Sequence, residues 1–121
     1  MPPLIATPHL DAVEPKYADY IPPMQSRRMS KGLKMALVAA LECMQQKCLN
    51  ADDLAAIEIG TAYGLLRDSE SFLNNMTEQN ETALNPTAFI QSTHNTISGT
   101  IALQLKAHVH NMTFVQKGHS F

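Results

Sequence analysis

The stretch "NPTAFIQSTHNTISGTIALQLK" (residues 85–106) runs from an Asn-Pro turn, through the polar step "QSTHN", into an apolar segment. Ile97, Ile101 and Leu105 recur every fourth residue, which places them on one face of a helix. Ser98 and Gly99 beside them are small enough for another backbone to approach closely. This spacing predicts a helix from about Ser92 or Thr93, either of which can serve as N-cap, to Lys106. His94 then falls in its first turn.

Downstream, "NMTFV" (residues 111–115) is a strand candidate. Upstream, Ser30 can cap a helix carrying Leu33, Leu37, Ala40, Leu41, Met44 and Cys48 on one face, with Asn50 closing it. "LAAIEIG" (residues 54–60) is too short for a helix and is expected as a strand. "GTAYG" (residues 60–64) then turns into a helix of about 15 residues from Leu65, with Leu66, Leu73 and Met76 facing inward. Residues 1–25 hold all but one of the seven prolines. They are expected as a Pro-rich extended lead, with the domain itself over residues 26–121. Strands separated by helical crossovers imply an α/β layered unit.

The 121 residues suit one domain with a modest core. Apolar residues make up 45% and charged ones 17%, so the chain packs on aliphatic and Met side chains. A net charge of −2 argues against a nucleic-acid partner. No apolar run reaches the roughly 20 residues of a membrane span, and the N-terminus lacks the basic region of a signal peptide. The expected location is cytoplasmic. Cys43 and Cys48, about 140° apart on one helix, cannot bridge and are expected as small buried hydrophobes. Asn75, Asn80 and Asn111 begin Asn-x-Thr sequons that carry no meaning without secretion.

Several residues invite chemistry. His108 and His110 would share one side of a strand, but two ligands do not make a zinc site. His9, His94 and His119 have no ligand spacing, so no metal is expected. Ser92 and His94, two residues apart, do not face each other on a helix, and no nucleophile elbow is present. "GTAYG" lacks the lysine of a phosphate loop and is better explained as a tight turn. The basic cluster says more. Arg27, Arg28, Lys31 and Lys34 crowd four of the nine basic residues around a helix N-terminus, where the macrodipole disfavours cations. A local rule broken this way often marks a binding surface.

Taken in order, "RRMSKGLKMALVAALECMQ", "IEIGTAYG", "NPTAFIQSTHNTISGTIALQL" and "NMTFVQKGHSF" resemble the N-terminal half of the β-ketoacyl synthases. The likeness is greatest to the divergent bacterial synthase-like and chain-length-factor proteins of polyene-type pathways. It covers about residues 17–121 and is most specific in "PTAFIQSTHNTISG". It implies a partial thiolase-like layered unit, with helices packed on a small sheet, shorter than the family's N-terminal half. The opening strand of the family is at best a remnant in "PLIATP", which would leave "LAAIEIG" with an exposed sheet edge.

The resemblance also implies roles. The helix over residues 92–106 would lie beneath a synthase active site and beside a dimer interface, with Ser98, Gly99 and Thr113 at that interface. The strand "NMTFV" would lead to the nucleophilic cysteine, but "QKGHSF" has no Cys and puts His119 near that position. The catalytic histidines belong to a C-terminal half that these residues do not include. Condensation needs a thiolate for the acyl group and donors for the developing enolate. The expectation is therefore a non-catalytic, chain-length-factor-type subunit of fatty acid or polyketide synthesis, with no cofactor. It would pair with a full-length ketosynthase or with itself. Acidic acyl carrier protein would dock on Arg27, Arg28, Lys31 and Lys34. The competing expectations are an inactive synthase remnant and an acyl-transfer enzyme using His94 or His119.

Overall fold

Ser30 starts the first long helix. Its hydroxyl accepts the Leu33 N–H at 3.4 Å, the N-cap role expected of it. The computed structural model describes residues 14–80, 82 and 86–119. A short helix α1 (Pro23–Ser26) precedes α2 (Lys31–Gln46). Strand β1 (Ala56–Thr61) is followed by helices α3 (Leu66–Glu78), α4 (Pro86–Ser92) and α5 (Thr96–Leu105), then strand β2 (His110–Val115). "PLIATP" lies outside the described residues.

The two strands pair in parallel, Ala56 opposite His110 and Thr61 opposite Val115. Alternate side chains therefore share a face. Ile57, Ile59, Asn111 and Thr113 point one way, toward α5, while Glu58, Met112 and Phe114 point the other. Ile57 joins Leu37, Val38, Ile101 and Ile21 in one core cluster, with Ile97 and Leu105 packed against it. The apolar stripe expected of α5 is thus seated on the core. Ile21 comes from the described part of the Pro-rich lead, residues 14–25. That part, expected as extended, coils into a 3₁₀ turn at Tyr17–Asp19 and then α1, and Tyr17 and Tyr20 pack beside the core.

Asn50 does not close α2. The helix ends at Gln46, where Cys48 N–H reaches Gln45 O and Leu49 N–H reaches Met44 O, at 3.1 and 3.0 Å. This is the Schellman arrangement, which needs a left-handed residue after the helix. Cys48 supplies it at φ 52°. It is consequently exposed and off the helix, not the buried hydrophobe expected; Cys43 is half-buried. Asn50 instead opens a 3₁₀ turn (Ala51–Asp53) through a reciprocal cap with Asp53. The C-terminus of α5 repeats the motif, with Lys106 at φ 54° and Ala107 N–H on Ala102 O at 2.9 Å.

Two expectations about the later helices also change. Leu66 and Leu73 are 60% and 53% exposed, because α3 packs on α4 rather than on the sheet. Phe72 meets Phe89 at 5.6 Å between ring centroids, and Ser69 Oγ donates to Ser92 O at 3.1 Å. The covered stripe is Leu65, Ser69, Phe72 and Met76, so only Met76 faces as expected. The stretch 85–106 is not one helix either. Thr96 Oγ1 donates to Ile90 O at 2.6 Å and Thr93 Oγ1 donates to the same carbonyl at 3.1 Å. Hydroxyls that capture helix carbonyls compete with the ladder, and the chain breaks at residues 93–95. Ser92 therefore ends α4 instead of capping α5.

Leu37→Ala should lower stability by about 2–5 kcal/mol, the range for truncating a buried leucine. Leu66→Ala and Leu73→Ala should stay within about 0.5 kcal/mol, as exposed substitutions do. Urea midpoints at constant slope distinguish them. Cys48→Gly should raise the midpoint by about 1 kcal/mol in stability, since glycine carries no left-handed penalty. A fall in midpoint would contradict the cap assigned to Cys48.

Candidate functional site: the strand mouth and the basic face

In parallel sheets, sites form beyond the carboxyl ends of the strands. Here β1 runs into "TAYG" and β2 into a 3₁₀ turn, Lys117–His119. Lys117 N–H donates to Ala62 O at 3.1 Å, so the two exits remain side by side. Lys117 is left-handed at φ 51°. His119 N–H bonds back to Gln116 O at 2.9 Å, and its side chain is exposed.

Gly64 makes the β1 exit possible. Its φ is +67° and its N–H is held by Thr61 Oγ1 at 3.0 Å. A Cβ at this position would lie 2.5 Å from His94 Nδ1. His94 belongs to the break between α4 and α5, not to a first helical turn, and it lies over the glycine loop. Nothing in the sequence names that contact; only the glycine hints that something comes close. Ser92 directs its hydroxyl to Phe89 O at 2.6 Å, so it forms no pair with His94. His108 precedes β2 rather than sharing its face with His110. Among the described residues no three His, Cys, Asp or Glu side chains converge on a metal position. His9 lies outside the described residues.

Ser98 is fully buried. Its hydroxyl lies 3.0 Å from Thr113 Oγ1, and its carbonyl accepts Asn111 Nδ2 at 3.0 Å. These bonds fasten α5 to β2 within the chain. Gly99 faces the other way, and a Cβ there would meet nothing within 4 Å. Leu103, one turn on, is 82% exposed.

The basic residues share the surface around the start of α2. Arg27 and Arg28 are exposed in the turn after α1, and the Arg28 carbonyl accepts Gln91 Nε2 from α4. Lys31 pairs with Glu14. That hydrogen bond, reinforced by the opposite charge, raises Lys31 above the ordinary lysine value. A raised lysine contributes stability present below its unfolded pKa and lost as pH rises through the folded value. The pair is therefore intact at neutral pH, though exposed and weak. The Lys34 ammonium lies 5.8 Å from the Tyr17 ring centroid, within cation–π range. The Tyr17 hydroxyl is buried with no hydrogen-bond partner among the described residues.

Helices packed on a parallel pair, with both strand exits at one mouth, define a small α/β unit. The chain belongs to the β-ketoacyl synthase family: the model of the family's N-terminal domain matches residues 6–120. Among solved structures it is similar to a chain in the complex of the ketosynthase ApeO with its chain length factor ApeC, from Xenorhabdus doucetiae. The TM-score is 0.69 at 25% identity, over 84% of this chain and 40% of that one. The chain thus spans well under half the length of that relative. No protein of curated function matches it. No helix among the described residues is long and apolar enough to cross a membrane.

Gly64→Ala should cost about 1–2 kcal/mol from its left-handed backbone alone, and more from the imidazole. His94→Ala in the same chain should recover the second part only. A double-mutant cycle on urea midpoints reads the coupling. A coupling of zero would mean that His94 does not hold the loop.

Proposed function

We propose that the protein is a non-catalytic, chain-length-factor-type member of the β-ketoacyl synthase family. In this reading it supports acyl-carrier-dependent fatty acid or polyketide synthesis by pairing with a ketosynthase. The observation that carries it is the turn at the β2 exit. Near the position where the family resemblance expects a nucleophilic thiol, the turn carries the imidazole of His119. Both cysteines are elsewhere, Cys43 in α2 and Cys48 in its cap. An imidazole there cannot hold an acyl group as a thioester.

The sheet supports the pairing. Parallel strands are ordinarily covered on both faces, yet Met112 and Phe114 on the face away from α5 are 41% and 45% exposed. On α5 itself, the open side at Gly99 and Leu103 offers a helix surface that a partner subunit can cover. Ser98 and Thr113 act from within, holding that surface in place. The basic face from Arg27 to Lys34 is where an acidic carrier protein would dock.

Co-expression with a ketosynthase should give a stable complex burying about 1,200–2,000 Å² or more. Gly99→Arg should release it while the ketosynthase partner stays folded. Intact-mass spectrometry after incubation with acyl carrier substrates should show no acyl adduct on this chain. An adduct on Cys43 or Cys48, or on His119, would reverse the non-catalytic reading. A monomer that survives concentration beside the ketosynthase would remove the pairing.

A further inference from the structure

The basic face is not uniformly available. Its two arginines and two lysines differ in what already touches them. Among the described residues, Arg27 and Arg28 make no ion pair and stand exposed. Lys31 is held by the Glu14 carboxylate, and Lys34 lies against the Tyr17 ring. Both contacts come from one short segment, residues 14–17, which leads into the 3₁₀ turn at Tyr17–Asp19. That segment lies along the start of α2 as a strap. Ile21 anchors its far end in the core, and Ile21 N–H bonds Tyr17 O at 2.8 Å.

We infer that the strap is an internal competitor for the acidic partner, with Glu14 occupying on Lys31 the place that a partner carboxylate or phosphate would take. The inference rests on the docking reading of the basic face. A carboxylate seven residues before the anchor has the chemistry of the expected ligand and reaches one lysine while leaving both arginines open. The arginines thus remain for the first encounter, where exposed charge raises the association rate. Lys31 joins only once Glu14 is displaced. Displacement is easy on physical grounds. The pair is exposed, its Lys31 and Glu14 side chains 67% and 53% accessible, and exposed pairs are weak. The strap also carries a cost, since a buried hydroxyl without a partner among the described residues, as at Tyr17, weakens whatever buries it.

The test is surface-resonance binding of a purified acyl carrier protein to the ketosynthase complex, at low and moderate salt. Glu14→Gln should tighten binding about two- to fivefold at low salt, the range an exposed ion pair spans, and steepen the salt dependence. Asp19→Asn removes an equal charge from the same segment at an exposed residue that makes no ion pair among the described residues. It should leave binding near that of the parent. If Glu14→Gln matches the parent, or Asp19→Asn tightens binding equally, the strap is overturned. Arg27→Glu with Arg28→Glu separates the two claims. If that pair weakens binding while Glu14→Gln changes nothing, docking stands and the strap falls. If the reversal leaves binding unchanged, the docking reading fails and the strap with it.

Discussion

Helix α5 rides on the sheet through one buried hydroxyl. Ser98 Oγ meets Thr113 Oγ1 at 3.0 Å, and the Ser98 carbonyl takes Asn111 Nδ2 at the same distance. A larger residue at position 98 would lift the helix from β2, and an alanine would leave Thr113 without its partner. A polar group left unmet where it is buried costs more than the bond itself returns. Much else follows from this clamp. It lies one turn before Ile101, which packs among the core aliphatics. It also holds β2 in register, so that the turn carrying His119 emerges beside the glycine loop.

The parts legible in the sequence were those governed by local rules. Ser30 as a cap, Ile97, Ile101 and Leu105 as a stripe, and Gly64 as a turn all depend on near neighbours along the chain. The α/β class followed from element order, and the family from its most specific block. What was not legible depended on partners distant in sequence. Leu66 and Leu73 have the spacing of a buried stripe, but α4 takes the other side of α3 through Phe72 and Phe89. The division of residues 85–106 required knowing that Thr93 and Thr96 both turn back to Ile90 O. Cys48 reads as buried only if helical periodicity continues past Gln46, and no glycine in the sequence marks the end there.

Of the candidate site, composition exposed the basic cluster but not its internal division. That Lys31 and Lys34 are touched by the lead, while Arg27 and Arg28 are not, depends on where the chain folds back. No periodicity reports that. The contact of His94 with Gly64 is likewise a meeting of two loops. It joins the β1 exit to the break before α5, so the strand mouth and the helix beneath it are held as one unit.

The parallel pairing has a kinetic side. Ala56 lies opposite His110, and every residue of α3, α4 and α5 comes between them in the chain. The two strands cannot zip from a hairpin. They must wait until the intervening helices have brought their ends together, and contacts of such sequence separation form slowly. Until then Ile57, Ile59 and Phe114 lie on unpaired strands, in a form that invites association with other chains. A partner that arrives early would act on the yield of folded protein as well as on its final assembly.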